Sequence, residues 1–259
     1  MKKILITGGH GYIGKSLYNN LSDGYETTSI SRVDFDLSDT IKTKEWFDGK
    51  YFDVVVHTAI KGGSRLVKDD STVLNTNLKM YYNLLDNRNS FTKFISIGSG
   101  AELYSLDTPY GLSKHVIRQS ILEKENFYNI RVFAVFDENE LPTRFIKGNV
   151  QRYINKESMV IHQDKKMDFF HMEDFVKVVE YYISESSPSK EFNCTYEQTY
   201  LLSEIAEKIN TLSTYKVPIE IQSTSYGKPY SGVPNGDIIS YSGLDVGIKK
   251  IYEHLLCRT

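Results

Sequence analysis

Three glycines in an early turn constrain the fold of this chain more than any other sequence feature. In the stretch TGGHGYIG, residues 7–14, they are Gly8, Gly11 and Gly14. Such spacing provides one glycine for the reversal of the backbone, one for the close approach of a bulky group, and one for tight packing of a helix on a strand. The turn lies between an apolar run and a helical pattern, which is the context that this use of glycine requires.

Apolar runs and helical patterns alternate along the first half of the chain. The continuous apolar runs, such as DVVVHTA, are typical of strands buried in a parallel sheet. The predicted strands are 3–7, 25–31, 53–59, 93–99 and 130–136, and the predicted helices are 12–21, 39–47 with Asp39 as its cap, 75–85 and 112–123. This order predicts an α/β fold of the Rossmann type, a doubly wound parallel sheet.

The pattern loosens after residue 136, which predicts a second and smaller lobe. Here a loop is expected at 137–144 and a surface loop at 223–232. A short strand is predicted at 159–163, with amphipathic helices at 172–183 and 200–210. The predicted domains are a dinucleotide-binding domain over 1–136, to which 170–196 returns, and a discontinuous substrate-binding lobe made of 137–169 and 197–259.

Composition narrows the class of protein. The chain has 259 residues, 40% of them hydrophobic, and a net charge of −2, so it has no basic excess for a nucleic acid or an anionic membrane. No run approaches the roughly 20 apolar residues that cross a bilayer. Cys194 and Cys257 are isolated, which predicts free thiols and no metal site. We expect a cytoplasmic protein that binds neither nucleic acid nor membrane.

The early turn predicts a phosphate site, because the free N–H groups and the dipole of a helix N-terminus attract anions. The residues expected to hold a dinucleotide there are Gly8, Gly11, Tyr12, Ile13 and Gly14. The type of residue at the end of the second strand indicates which cofactor is bound. A carboxylate there binds the ribose 2′-hydroxyl of NAD(H), whereas a cation binds the 2′-phosphate of NADP(H). Arg32 favours NADP(H), while the nearby Asp34 leaves NAD(H) open.

The order of several motifs resembles one enzyme family. The matching stretches are TGGHGYIG (7–14), DLSD (36–39), VVHTA (55–59), NTNLKMYYNLL (75–85), FISIGSG (94–100), PYGLSK (109–114) and MDFFHMEDFV (167–176). Together they resemble the extended short-chain dehydrogenases/reductases, the NAD-dependent epimerase/dehydratase family of nucleotide-sugar enzymes. The resemblance implies a nucleotide-sugar substrate and a homodimer formed through the helices around 75–85 and 112–123.

By this resemblance, Ser99, Tyr110 and Lys114 are the catalytic residues. Tyr110 would exchange a proton with the sugar oxygen, and Ser99 would donate a hydrogen bond to the reacting carbonyl. Lys114 would also bind the ribose next to the nicotinamide. Residues i and i+4 share one face of a helix, so the ammonium of Lys114 can lie near the phenol of Tyr110. A charge about 4 Å away, at an effective dielectric constant near 20, can lower the pKa of a phenol by at most about three units.

The resemblance also assigns binding residues. Asp36 and Leu37 would flank the adenine, and Ala59 and Ile60 would line the path of the cofactor, beside Tyr110 and Lys114. Where the family has an arginine for the substrate diphosphate, this chain has Met167. The substrate-binding cations are therefore expected among Arg144, Lys165 and Lys166.

Differences within the family favour one reaction. Residues 31–39 and 57–64 are most similar to GDP-fucose synthases and 4-keto sugar reductases. By the resemblance, a GDP-fucose synthase also epimerises its sugar and needs a cysteine to move a proton in that step. In this chain Ala101 stands at the position of that cysteine. Glu102 lies out of place for a dehydratase acid. We therefore predict an NADPH-dependent reductase of a nucleotide-linked 4-keto-(6-deoxy)hexose in surface-polysaccharide sugar biosynthesis. The alternatives are a 4-epimerase with tightly bound NAD, or a non-catalytic NADP-binding sensor or scaffold.

Overall fold

The structure is a computed structural model that describes residues 1–64, 67–236 and 238–257. Its residues fall into two units. Unit 1 consists of Met1–Arg131 and Val179–Phe192, and unit 2 of Val132–Val178 and Asn193–Thr259. The chain thus changes unit after residues 131, 178 and 192, where the sequence-based division has 136, 169 and 196.

Twelve strands and nine α-helices, with a 3₁₀ turn at Arg88–Ser90, form the described part of the chain. The strands are β1 (Lys3–Thr7), β2 (Glu26–Ile30), β3 (Phe52–His57), β4 (Phe91–Ser99), β5 (Phe127–Val132), β6 (Val135–Phe136), β7 (Met159–Ile161), β8 (Lys166–Met167), β9 (Phe170–His171), β10 (Glu191–Cys194), β11 (Tyr200–Leu201) and β12 (Ile219–Ile221). The helices are α1 (Tyr12–Leu21), α2 (Thr40–Phe47), α3 (Thr72–Asp86), α4 (Ala101–Tyr104), α5 (Pro109–Leu122), α6 (Phe145–Ile154), α7 (Met172–Ser184), α8 (Leu202–Ile209) and α9 (Leu244–Leu256).

A six-stranded sheet in the order β10-β5-β4-β3-β1-β2 carries unit 1. The strands β2, β1, β3 and β4 pair with one another in parallel, with Ile4 opposite both Thr27 and Val54. The carboxyl ends of parallel strands lie at one edge of a sheet, which is where ligands bind in open α/β folds. The loops after these four strands therefore share one edge. The predicted doubly wound α/β fold is confirmed.

The core of unit 1 explains why the amphipathic patterns form helices. Leu17 and Leu21 on α1 and Leu84 on α3 are fully buried, and each stabilises the fold by about 1.5–3 kcal/mol relative to an exposed side chain. The predicted cap of α2 is confirmed, since Asp39 Oδ1 accepts hydrogen bonds from the N–H groups of Ile41 and Lys42, both at 3.1 Å. Such a cap contributes about 1 kcal/mol.

The strand predicted at 130–136 is wrong as a single element. β5 ends at Val132, and the chain then turns away, so that β6 pairs in parallel with β9, Val135 opposite Phe170. The Ala134 carbonyl accepts a hydrogen bond from Phe170 N–H at 2.8 Å. The apolar run is continuous because both strands are buried, so periodicity gives no sign of the break.

Unit 2 has its own core. Ile146, Val150 and Tyr153, on one face of α6, are fully buried with Ile205 and Ile251 of α8 and α9. Helix α6 has no counterpart among the predicted elements. The small sheets pair β7 with β12 in parallel and β8 with β11 in antiparallel orientation. Within the described ranges, no helix combines the length and apolar character needed to cross a membrane.

Candidate functional site

The glycines of the first turn are required by close backbone contacts. Gly8 has φ +73°, and a Cβ on it would lie 2.7 Å from the Ala59 backbone. A Cβ on Gly14 would lie 2.4 Å from the Gly8 carbonyl oxygen. Real Cβ atoms do not approach other atoms so closely, so any side chain would push α1 away from the turn. The turn is closed by a 2.9 Å hydrogen bond from Gly11 N–H to the Gly8 carbonyl.

A cavity of about 280 Å³ opens beside this turn, at the carboxyl edge of the sheet. Its lining includes seven of the residues predicted to bind the cofactor: Gly8, Gly11, Arg32, Asp36, Leu37, Ala59 and Ile60. The predicted residues Tyr12, Ile13 and Gly14 form the first turn of α1 instead, behind its N-cap Gly11, which no side chain caps. A glycine-rich turn at a helix N-terminus that no side chain caps fits the pyrophosphate of a dinucleotide.

The loop after β2 supplies a cation and a carboxylate to the lining of this cavity, Arg32 and Asp36. Arg32 is exposed in the lining and, within the described ranges, has no hydrogen bond or ion pair. The Asp34 carboxylate instead accepts from Ser31 N–H at 2.8 Å. Asp36 accepts from the N–H and hydroxyl of Ser38, and these hydrogen bonds, with the charge of Arg32, lower the pKa of its carboxyl. The cation is therefore available to a ligand, whereas one oxygen of each carboxylate, Oδ2 of Asp34 and Oδ1 of Asp36, is engaged by the loop.

Buried polar contacts join β1 and β3 below the cavity. Thr7 Oγ1 lies 2.8 Å from His57 Nδ1, and Thr58 Oγ1 donates to the Thr7 carbonyl at 2.6 Å. Burial, with the nearby charge of Lys114, lowers the pKa of His57 to about 3. His57 is therefore a neutral packing residue at physiological pH, as expected for a histidine with a polar partner inside a core.

The predicted catalytic Ser99 and Lys114 are both placed relative to the last residues of β4. Ser99 is the last residue of this strand, and Lys114 reaches β4 from α5 by donating to the Ile97 carbonyl at 2.5 Å. Burial lowers the pKa of the Lys114 ammonium to about 8, although the charge of Glu102 opposes this effect. The lysine is thus fixed at the strand end rather than extended into solvent.

Tyr110 lies in the first turn of α5, which Thr108 caps by accepting from Gly111 N–H at 3.0 Å. Its ring packs on the loop after β3. Gly63 in that loop has φ +73°, and a Cβ on it would lie 2.7 Å from Tyr110 Cε2. The Gly63 N–H donates to Asp69 at 2.9 Å, which holds the loop in this position. A glycine contact therefore orients the predicted proton donor.

Asn77 joins the same loop to α5. Its side chain accepts from Lys61 N–H at 2.8 Å and donates both to the Lys61 carbonyl and to Ser113 Oγ, each at 3.0 Å. Asn77 is fully buried, so each of these bonds is protected from competition by water. This arrangement fixes the loop that packs on Tyr110.

Behind Ser99 lies a network of buried charges. The Glu102 carboxylate, which has no exposed surface, pairs with Arg131 Nε at 2.5 Å and accepts from Asn129 Nδ2 at 2.8 Å. Arg131 also pairs with Glu191, which binds Arg118 through two hydrogen bonds of 2.5 and 2.7 Å. Burial raises the pKa of the Glu102 carboxyl, and contact with the Arg131 guanidinium acts against that rise.

The three cations predicted for substrate lie in unit 2. Lys165 and Lys166 are adjacent, at the start of β8, and Lys165 Nζ lies 5.9 Å from the centre of the Tyr230 ring. Arg144 precedes α6 and lies 3.9 Å from Glu140. Burial raises the pKa of Glu140 to about 7, so Arg144 faces a carboxyl that is only partly ionised near neutral pH.

Sequence reasoning missed several residues of the site. The cavity is also lined by Thr7, His10, Ser31, Val33, Phe35, Thr58 and Met80. Two paired glycines, Gly62 and Gly63, gave a sequence signal for a special backbone after β3. The pairing of Glu102 with Arg131 has no local signal, since 29 residues separate them.

Comparisons with known proteins agree with this fold. A search of curated proteins finds no match. Among solved structures, a mutant UDP-glucuronic acid 4-epimerase from Bacillus cereus, in complex with a fluorinated substrate analogue and NAD, is 16% identical with a TM-score of 0.80, covering 99% of this chain and 100% of that one. A GDP-mannoheptose C4 reductase from Campylobacter jejuni with NADP bound is also 16% identical with a TM-score of 0.80, covering 98% of both chains.

A GDP-L-fucose synthetase from Naegleria fowleri, bound to NADP, is 14% identical with a TM-score of 0.76, covering 99% of this chain and 93% of that one. At these identities the structures are similar in fold. The model of the NAD dependent epimerase/dehydratase family matches residues 4–195, which include the glycine turn, Ser99, Tyr110 and Lys114. The predicted resemblance is confirmed, and the chain belongs to the NAD-dependent epimerase/dehydratase family of enzymes.

Proposed function

We propose that this enzyme is an NADPH-dependent reductase of a nucleotide-linked 4-keto-(6-deoxy)hexose, acting in surface-polysaccharide sugar biosynthesis. The observation that carries the proposal is the end of β4, where Ser99 is the last residue of the strand and the buried Lys114 donates to the Ile97 carbonyl. Ala101 stands beside Ser99 where a cysteine would be needed for epimerisation next to the carbonyl. Reduction of a ketone needs only one proton donor besides the cofactor.

The choice of NADP(H) rests on Arg32. Its guanidinium lines the cavity at the end of β2, where a 2′-phosphate is recognised. Asp34, the other acidic residue near Arg32, does not line this cavity, and its carboxylate accepts from Ser31 N–H. Guanidinium and phosphate form strong charge-assisted hydrogen bonds. NAD(H) is the second candidate, because Asp36 also lines the cavity.

The cofactor, when bound, supplies the hydride. In the proposed reaction Tyr110 gives its phenolic proton to the carbonyl oxygen of the sugar. Ser99 donates a hydrogen bond to the same oxygen, which stabilises the negative charge that develops there. Lys114 places a positive charge near the phenol and binds the ribose. The pyrophosphate would lie at Gly8 and Gly11 and at the N-terminus of α1, which Tyr12, Ile13 and Gly14 form. Leu37, Ala59 and Ile60 would enclose the cofactor.

Dehydration is disfavoured by the contacts of Glu102. A dehydratase needs a carboxyl group that is free to give and take a proton next to the serine. Both oxygens of Glu102 are engaged, one by Asn129 and Arg131 and the other by Ser99 N–H at 3.3 Å. The side chain is also buried, so it is not free in the way that a dehydratase acid must be.

The substrate and assembly are also proposals. Arg144, Lys165 and Lys166 are the candidates for binding the diphosphate of the nucleotide sugar, since each carries a positive charge. We propose a cytoplasmic homodimer formed through α3 and α5. Tyr82 on α3 is 43% exposed and Leu112 on α5 is 37% exposed, which leaves apolar surface on both helices.

A 4-epimerase is the second candidate, because it uses the same serine, tyrosine and lysine and differs only in keeping its cofactor bound. The similar fold of a UDP-glucuronic acid 4-epimerase with NAD agrees with this alternative. A cofactor sensor of another class would have no use for Ser99, Tyr110 and Lys114 together.

One experiment separates the three. The purified protein is mixed with NADPH and a panel of 4-keto nucleotide sugars, and the absorbance of reduced nicotinamide is followed while the sugars are separated by chromatography. Loss of absorbance with one ketone supports the reductase. Interconversion of sugars without net oxidation supports the epimerase. Cofactor binding with neither result supports the sensor and contradicts the proposed reaction.

A further inference from the structure

His10 lines the cofactor cavity and has no role in the proposed reaction. It lies between Gly9 and Gly11 in the glycine turn, and its side chain is exposed. Within the described ranges, its imidazole has no hydrogen bond or ion pair with the rest of the chain. The turn is closed by the backbone bond from Gly11 N–H to the Gly8 carbonyl, so the fold does not depend on this side chain.

The turn places His10 next to the end of β2. The N–H of Gly9 donates to the carbonyl of Ile30, the last residue of that strand, at 3.0 Å. A Cβ on Gly9 would lie 1.6 Å from Ser29 Oγ, so the residue before His10 packs directly against the strand. Arg32 follows Ile30 by two residues and lines the same cavity. The turn and the loop after β2 thus each contribute one basic side chain to a single cavity.

We propose that His10 is a second ligand of the cofactor 2′-phosphate, beside Arg32, and that its protonation strengthens the binding of NADP(H) as the pH falls. This inference rests on the proposed choice of NADP(H). A protonated imidazole donates from both nitrogens and carries a positive charge, so it forms charge-assisted hydrogen bonds with a phosphate. Histidine is the side chain that ordinarily changes its charge between about pH 5 and 8. The affinity for the phosphorylated cofactor therefore depends on pH in the physiological range.

The other charged side chains of the described lining do not give this dependence. They are Arg32 and Asp36, both from the loop after β2. An arginine keeps its charge at every pH in this range. Backbone and side-chain hydrogen bonds lower the pKa of the Asp36 carboxyl, which therefore stays ionised. Asp34 of the same loop and Lys15 of α1 lie outside the lining.

The test measures the affinity of the protein for NADP⁺ and NAD⁺ by isothermal titration calorimetry between about pH 6.5 and 8.5. The ratio of the two dissociation constants isolates the 2′-phosphate, because the two cofactors are otherwise the same. A phosphate monoester takes up its last proton near pH 6, below this range. From the upper to the lower limit we expect the preference for NADP⁺ to rise about fivefold, as for an ordinary histidine whose protonated form binds phosphate about ten times more tightly.

Two substitutions assign this dependence to His10. His10→Gln keeps a hydrogen-bond donor but cannot take up a proton, so its preference for NADP⁺ should not change with pH. His10→Lys keeps a cation throughout and should hold the higher preference at every pH. Lys15→Gln is the matched control, because it removes an exposed cation from the first turn of α1, outside the cavity. It should keep the pH dependence of the original protein.

A preference for NADP⁺ that does not change with pH in the original protein would overturn the proposal, and this result needs no variant to fold. The same pH dependence in His10→Gln as in the original protein would also overturn it. No preference for NADP⁺ at any pH would show that the choice of cofactor is wrong, and the role of His10 would fall with it. These are binding measurements, so a failure to reduce any sugar leaves them interpretable.

Discussion

Gly63 packs against the ring of Tyr110 so closely that a methyl group on it would lie 2.7 Å from Cε2 and 2.8 Å from Cζ. We predict that Gly63→Ala displaces the ring and lowers kcat at least tenfold, while cofactor binding is kept. Gly49→Ala is the matched control, because Gly49 has a similar φ of +67° with no atom within 4 Å. Both variants lose about 1–3 kcal/mol to backbone strain, and only Gly63→Ala is expected to lose turnover. Equal turnover in the two would contradict this role of the contact.

Tyr110→Phe removes the proposed proton donor and nothing else. We expect kcat to fall by about a hundredfold to ten-thousandfold, the usual contribution of a positioned general acid. The affinity for NADPH, measured by fluorescence titration, should change little. Tyr51→Phe, at an exposed residue just before β3, serves as the control and should keep full turnover. Undiminished turnover in Tyr110→Phe would show that another group supplies the proton.

Arg32→Ala tests the cofactor. The lost charge-assisted hydrogen bonds are worth about 1.5–3 kcal/mol, so the Kd for NADPH should rise by about tenfold to a hundredfold, with little change for NADH. Isothermal titration calorimetry with both nucleotides measures this difference. Arg88→Ala removes an exposed arginine from the 3₁₀ turn outside the cavity and should alter neither affinity. If NADH binds more tightly than NADPH before any substitution, the choice of NADP(H) is wrong.

His57 predicts a dependence of stability on acid pH. Burial lowers the pKa of this residue from 6.5 to about 3, so between these values the unfolded chain takes up a proton that the folded protein excludes. Its contribution to the free energy of unfolding is therefore complete above pH 6.5 and is lost as the pH falls towards 3, by about 1.4 kcal/mol per pH unit.

Urea unfolding of the original protein and of His57→Gln, from pH 7 down to the acid limit of folding, isolates this contribution as the difference between the two curves. The variant should have the shallower curve. His162→Gln removes an exposed histidine and should leave the slope unchanged. Parallel curves for the original protein and His57→Gln would mean that His57 is protonated in the folded state.

Much of unit 1 was predictable because its signals are local. The buried runs of β1 and β3, the helical period of α1 and the Asp39 cap are each set within a few residues. The start of α5 at Pro109 was missed, although proline is common in the first turn of a helix. Its predicted start at residue 112 lies within the usual error for helix ends.

The other differences arise from contacts between distant residues. Nothing in IRVFAVF indicates that Phe133 and Ala134 leave the six-stranded sheet. The break depends on the pairing of β6 with β9, in which Val135 lies opposite Phe170, 35 residues further along the chain. Glu102 likewise reads as an ordinary charge in a short helix. Its burial depends on Arg131 and Asn129, which a linear sequence does not bring together.

The late position of β10 has a consequence for synthesis on the ribosome. Residues 1–131 leave the exit tunnel first, yet β5 then has one edge open, and the Lys190 carbonyl that pairs with Asn129 N–H is still to be made. Arg131 also emerges long before Glu191. A nascent chain must therefore keep this edge protected, or rely on a chaperone, until about 60 further residues have been translated.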